Sequence, residues 1–287
     1  MRFRRVKSRI ALAIIRSSAI IMVSIGLLIF TYLFMEGSKV MSWTFLTEPP
    51  RQGMTAGGIF PAIFGTFCLM ILTLTFTLPV GVASAIYFAE YVGKKWVHLN
   101  VSMRFATSIL AGVPSIVYGL LGLSLFVLYL RFGLSLLSAS LTLSILSLPV
   151  VIAASEEALR SVPSSYREAA VALGATRWKM VRHAVLPYAV PGIITSCILA
   201  LSRAAGETAP ILLTGAAYYH PRLPTSLFDQ FMALPFHIFA LATQSVDPVR
   251  TRPIQFGAAL TLIMLVLGMN VVAILIRTMQ RRGMARV

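Results

Sequence analysis

Charge is scarce in this chain. Only 12% of its 287 residues are Asp, Glu, Lys or Arg, about half the share found in soluble domains. Acids are the rarer sign, nine against 25 basic residues, for a formal net charge of +16. With 57% hydrophobic residues and a mean hydropathy of +0.84, a soluble globular domain is excluded and a membrane protein indicated. The basic residues cluster outside the apolar runs, as the positive-inside rule requires, so membrane lipid rather than nucleic acid is the implied partner. Cysteine is limited to Cys68 and Cys197; both fall inside apolar runs and read as small buried hydrophobes, silent on redox compartment. Catalytic motifs are missing as well. Without a Gly-x-x-x-x-Gly-Lys-Ser/Thr loop, the chain is not its own ATPase. The histidines, His98, His183, His220 and His237, are scattered without metal-ligand spacing and read as satisfied interfacial residues, so no metal site is expected.

What is present is a series of long apolar runs. Met1 to Arg9 carries Arg2, Arg4, Arg5, Lys7 and Arg9, followed by an apolar run from Ile10 to about Met35. The run exceeds a signal-peptide core and no small-x-small site closes it, so it reads as an uncleaved first membrane helix. Glu36 to Gly58 is mixed and without positive bias, hence outside, with Trp43 and Phe45 at headgroup level. The second span, about Ile59 to Tyr91, is too long for one straight crossing: it kinks near Pro79 or extends beyond the bilayer. Glu90, Lys94, Lys95 and Arg104 mark its exit into a cytoplasmic loop. Phe105 to Leu130 forms the third span, interrupted by Gly112, Pro114, Gly119 and Gly122, and Leu134 to about Ser155 the fourth. A cytoplasmic loop, 156–186, leads to a fifth span from Pro187 to about Ala217. The Pro-rich outer segment Tyr218 to Gln255 contains an apolar stretch, Leu227 to Ala242, too short to span and suited to re-entry. Gly257 to Ile276 is the sixth span, ending in Arg277, Arg281, Arg282 and Arg286. The prediction is an all-α protein of six transmembrane helices, both termini cytoplasmic. Residues 1–58 hold the tail, first helix and outer loop, and 59–287 form the core.

The most informative stretch lies in the 156–186 loop. Ser165 can cap a helix and Glu168, three residues on, can complete a capping box. Tyr166, Ala169, Ala170 and Leu173 recur at helical spacing, and Gly174 supplies the left-handed residue that stops the helix. A second helix carries Trp178, Val181 and Val185 until Pro187. Small residues in the apolar face let a partner approach closely, so the segment reads as a docking knob. Here the sequence resembles the ABC importer permeases. Their cytoplasmic loop has Glu-Ala-Ala, three residues, Gly, nine residues, an apolar residue, one more, then Leu-Pro. Glu168, Ala169, Ala170, Gly174, Leu186 and Pro187 match in register, with Ala184 where the family usually carries Ile.

A second stretch refines the resemblance. The fifth span contains Arg203 and Glu207 at i and i+4 in apolar surroundings. Inserting either charge costs roughly 2.5–3.5 kcal/mol, so the two face a cavity, pair with each other, or serve a transported species. Arg203-Ala-Ala-Gly-Glu207-Thr208-Ala-Pro210 is similar to the phosphate-specific ABC permeases, its Thr-Ala-Pro ending to their A-type subunit. The resemblance implies a MetI-like, type I importer bundle with Arg203, Glu207 and Thr208 along an anion path. It implies a C-type sibling permease, two ATPase subunits on the Glu-Ala-Ala loops carrying ATP and Mg, and an external phosphate-binding protein. No cofactor is expected on this chain. Family members often place Arg three residues before the first acid of the loop; that position is Ala153 here, before Glu156. Glu156 is then either half of a second charged site or a solvated loop residue. Three other functions fit parts of the sequence. A permease for molybdate, sulfate or phosphonate shares the loop, a polyamine permease would want acids without the arginine, and a non-transporting scaffold or sensor would need no charged pair.

Overall fold

The computed structural model describes the backbone of residues 2–92, 97–245 and 247–284, and side chains within 12–92, 101–245 and 247–280. Lys94, Lys95 and Arg286, with the side chains of Arg2, Arg4, Arg5, Lys7, Arg9, His98, Arg281 and Arg282, lie outside the described residues.

The described chain is helical apart from a two-stranded hairpin, β1 (Pro50–Arg51) against β2 (Ala56–Gly57). Five helical segments are long and apolar enough to cross a membrane: 12–38, 60–91, 136–160, 177–206 and 248–280. They belong to α1 (Arg2–Ser38), α3 (Phe60–Ile86), α6 (Leu136–Arg160), α9 (Leu186–Gly206) and α12 (Pro248–Met284). The third span is broken. α4 (Val97–Gly112) and α5 (Ser115–Gly122) are bent 99° apart. The cause is Pro114, whose extended backbone (φ −58°, ψ 141°) ends α4 and whose ring disfavours helix at the residue before it. Tyr118 repairs part of the break by donating its hydroxyl to the Leu110 carbonyl at 2.7 Å.

Several predicted boundaries move. The second span keeps its own, taking the second of its two expected courses: α3 runs through Pro79 into a π-helical turn, Tyr87–Tyr91. At 1.5 Å per residue its 32 residues reach about 48 Å, past the bilayer core. Pro187 does not interrupt the next helix either. α8 (Arg177–Met180) passes through a π-helical segment, Val181–Val185, into α9, which places Pro187 in a first turn where a missing N–H costs nothing. The predicted fifth span ends early, at Gly206, and a separate α10 (Ala209–Thr214) follows. α12 begins at Pro248 rather than Gly257.

α6 is the axis of the bundle. Between buried leucines such as Leu143 and Leu146, its buried face carries many small side chains, among them Ser138, Ala139, Ser140, Ser144, Ser147 and Ser155. On one side α3 closes in, with Gly81 facing Val151 and the Ser144 hydroxyl donating to the Thr73 carbonyl at 3.1 Å. On the other, α9 meets it through Gly192 against Ala158 and a Ser155–Ser196 hydroxyl contact of 2.9 Å. Beyond α9 lies α12, and α1 packs against the first half of α12, where a Cβ on Gly37 would sit 2.8 Å from the Phe256 carbonyl oxygen. Close backbone approach through small residues is what association in lipid requires.

The outer segment is folded against the ends of these helices. Leu136 and Leu137, in the first turn of α6, donate their N–H groups to the carbonyls of Asp229 (2.9 Å) and Leu227 (2.8 Å), while Ser135 caps Ser138 N. Asp229 itself accepts from the N–H groups of Ser226 and Thr225, and these bonds hold its carboxyl below the ordinary aspartate range. The apolar stretch folds back as α11 (Leu234–Thr243), beginning later than predicted and anchored by Leu234 N–H donating to Thr66 Oγ1 at 2.8 Å. Phe45, at the first turn of α2 (Trp43–Thr47), is not at headgroup level. It is buried with Ile59, Ala62, Met232 and Ala258, whereas Trp43 stays 80% exposed. His237 is likewise not interfacial: it is buried in α11 and neither ring nitrogen has a partner.

Gly65 tests this docking of the outer segment, because a Cβ there would overlap the Met232 carbonyl. Gly65→Ala should destabilise the protein by about 1–3 kcal/mol, the usual cost of overpacking. A thermal midpoint in detergent unchanged from the parent would refute the contact.

Candidate functional site

Three polar features stand out from the apolar bundle. The first is the projection formed by α7 (Ser164–Ala172) and α8 at the end where α3 and α6 finish. The capping box expected at Ser165 and Glu168 does not form; Pro163 starts the helix and no side chain caps it. The helix stops as predicted. Gly174 has φ +75°, and its N–H bonds the Val171 carbonyl (2.9 Å) while Ala175 N–H bonds that of Ala170 (3.0 Å). This crossed pair is the Schellman closure, which needs a left-handed residue at the turn. Thr176 then caps α8 by accepting from Lys179 N.

The predicted apolar face is divided. Ala170 turns inward onto a cluster containing Val162, Val181 and Val185, but Leu173 is 89% exposed, beside exposed Val171 and Trp178. Glu168 and Ala169 are exposed too, and Leu186 and Pro187 lie where the projection joins α9. The result is a protruding apolar surface of small and medium side chains, of the kind that marks an interaction site.

What holds α7 in place was not visible in the loop's sequence. Arg167 sends its Nε and Nη2 to Glu90 at the end of α3 (Nη2–Oε1 2.7 Å), and also donates to the carbonyls of Val162 (2.6 Å) and Leu159 (2.8 Å). Glu90 is therefore a buried partner rather than a marker of the loop, its side chain 5% exposed.

The second feature is the break after α9. Gly206 ends the helix, Glu207 is extended (φ −77°, ψ 123°) and Thr208 precedes α10 without a side-chain cap. Arg203 Nε lies 3.6 Å from Glu207 Oε1, an ion pair longer than a hydrogen bond. Its side chains are 34% and 18% exposed, so the pair is reachable from outside the chain. α5 packs beside it, with Gly119 leaving room for Pro210 and Ala209. The three predicted residues Arg203, Glu207 and Thr208 thus sit together at a point where backbone groups leave the helical ladder.

The third feature decides between the two readings of Glu156. It is no solvated loop residue but part of a charged cluster: α6 continues to Arg160, and Glu156 is buried between Arg104, which bonds its Oε1, and Arg160, whose Nε lies 2.8 Å away. Ala153 leaves space instead of a charge. The partner comes across from α4, 52 positions earlier. Arg104, Thr107, Ser108, Ala153, Glu156 and Glu157 help line a cavity of about 530 Å³.

Comparison with known proteins agrees with this geometry. The model of the family described as binding-protein-dependent transport system inner membrane component matches residues 77–286. A probable ABC transporter permease protein, YqgI, of Bacillus subtilis is 32% identical over 96% of this chain and 97% of its own. The phosphate transport system permease protein PstA of Yersinia pestis is 33% identical over 94% and 90%. PstA 1 of Mycobacterium tuberculosis is 35% identical over 84% and 77%. Among solved structures, a bacterial ABC transporter involved in alginate import superposes with a TM-score of 0.64 at 18% identity, covering 97% of this chain and 99% of that one. The MetNI methionine transporter, inward facing, gives 0.57 at 18% identity over 78% and 94%. The multi-pass bundle, its exposed Glu-Ala-Ala projection and these matches make the chain a member of the binding-protein-dependent transport system inner membrane component family.

Proposed function

We propose that this chain is the A-type permease subunit of an ATP-driven importer that carries inorganic phosphate across the cytoplasmic membrane. The observation that carries the proposal is the half-open Arg203–Glu207 pair at the break between α9 and α10. A phosphate ion must exchange its hydration shell for other donors, and a guanidinium fork is suited to that exchange. Glu207 competes for the same guanidinium and so keeps the hold weak enough for release. The names of the relatives point to the same substrate. Glu156, paired with Arg104 and Arg160 at the 530 Å³ cavity that Arg104 and Glu156 line, serves as a second charged station on the path.

Partners follow from the same reading. A C-type sibling completes the path, and two ATPase subunits, holding ATP and Mg, seat on the Glu168–Gly174 projections. An external phosphate-binding protein delivers to the α11 end. The α7 end and both termini are then cytoplasmic. Reporter fusions after Gly37 and after Tyr219 should read outside, and fusions after Ser164 and at the C-terminus inside. A Ser164 fusion reading outside would remove the docking role.

Docking has its own test at Gly174. Gly174→Val should leave the protein in the membrane but reduce ATPase-subunit co-purification, because a β-branched residue resists φ of +75°. Normal co-purification with normal uptake would contradict it.

The substrate role is tested by the charged pair. Because Arg203 is one-third exposed, a purely structural pair contributes no more than about 1 kcal/mol, and single substitutions should assemble. Arg203→Gln should then abolish labelled-phosphate uptake in an assembled complex, with Arg203→Lys recovering part of it. Glu207→Gln should tighten anion binding and slow release. The deciding variant is the double change to Gln: if it assembles and transports normally, Arg203 is packing and the anion path lies elsewhere.

A further inference from the structure

α7 is poorly held by packing. None of its residues is buried, and its one apolar anchor toward the bundle is the partly buried Ala170. A ring contact between Tyr166 and Tyr188 on α9, 4.5 Å between centroids, lies at the exposed surface. A helix so placed would swing under load unless something polar fixed it. Among the described residues, the group of α7 with the most bonds to the bundle is the Arg167 guanidinium. Two of its nitrogens grip the Glu90 carboxylate at the end of α3, and two donate to the Leu159 and Val162 carbonyls at the end of α6.

These contacts differ in what they add. α7 is already joined to α6 by the short turn at 161–163, so the carbonyl bonds mainly set an angle. To α3 there is no such covalent route; Glu90 and Arg167 are 77 positions apart. The carboxylate is nearly closed to solvent and the guanidinium is 23% exposed, so solvent does little to weaken the bond. A planar fork bonded on two edges also resists rotation, which a lysine could not do.

We propose that Arg167 and Glu90 form a latch that transmits displacement of α7 to α3, so that α3 and α6 move together when the projection is pushed. Resting on the reading of α7 as the ATPase-docking element, the proposal assigns Arg167 a positioning role in coupling rather than in docking itself. Broken, the latch would let the ATPase cycle move α7 without moving α3.

The test uses the whole complex in proteoliposomes, comparing the parent with Glu90→Gln, Arg167→Gln, Arg167→Lys and the double Gln variant. Arg167→Gln should keep ATPase co-purification and ATP hydrolysis but lower phosphate moved per ATP by roughly fivefold or more, the scale of an ordinary coupling energy. Glu90→Gln, which spares the carbonyl bonds, should lower it less. Arg167→Lys should fall between parent and Arg167→Gln, and the double variant should be no worse than Arg167→Gln. An unchanged ratio in Arg167→Gln, or losses that multiply in the double, would overturn the latch. Should Arg167→Gln not assemble, Glu90→Gln decides by the same ratio: a loss supports the latch and none rejects it. A parent complex that binds ATPase yet moves no phosphate would count against the substrate assignment alone. The latch is then read by hydrogen exchange over 164–172, which Arg167→Gln should speed by about tenfold in the assembled complex; unchanged exchange rejects it.

Discussion

Close backbone approach along α6 is the constraint on which the rest of the molecule depends. Lipid offers no hydrophobic drive between helices, so contact must come from packing and hydrogen bonds. The serine, alanine and threonine side chains on α6 supply both. They are short enough to admit α3 and α9, and several of their hydroxyls bond carbonyls of their own helix or a neighbour, as with Thr142 on Ser138 and Ser144 on Thr73, while the buried Ser147 hydroxyl has no partner among the described residues. Replacing that stripe with leucine would raise hydropathy and still lose the bundle. The same logic explains why the largest apolar side chains of α1 and of α12's far half face outward, where lipid or another chain accepts them.

Irregular backbone is then affordable only where protein supports it. The bend at Pro114 is bridged by Tyr118. The start of α6 receives carbonyls from the 227–229 loop. The break at Glu207 is different, because it places an ion pair beside itself and leaves that pair partly open. It is on this interruption, with its charge left partly open, that the proposed anion path rests.

Much of this was legible in the sequence. Span number, a short apolar helix within 227–242 and the Gly174 turn follow from local properties: hydropathy, proline placement and the need for positive φ. The Arg203–Glu207 pair was legible because its members are four positions apart on one helix. Errors fell where a local rule met a non-local contact. Pro187 looks like a breaker, but a π-helical segment leads into it. Phe45 looks interfacial until Met232 and Ala258 arrive to cover it. Glu90 looks like a loop acid because its arginine lies 77 positions away, and Arg104 reaches Glu156 from 52 positions away. Periodicity has no means of pairing residues at such separations.

Three of the arginine–glutamate sites form a graded series, and the gradient itself bears on function. Glu90 is enclosed, and Arg167 spends its fork on a carboxylate and two carbonyls, leaving little for a ligand. Glu156 is also buried, yet it is shared between two arginines, Arg104 and Arg160, at the edge of a cavity that Glu157 lines too. Arg203 is the loosest, 3.6 Å from its partner, with no bond of hydrogen-bond length between them. A tight, fully used pair gives geometry; a loose or shared one leaves donors for an anion. Moving from the α7 end toward the break after α9, the arrangement changes from fixing helices to offering charge. That is the order expected if force enters at one end of the subunit and its cargo is held at the other.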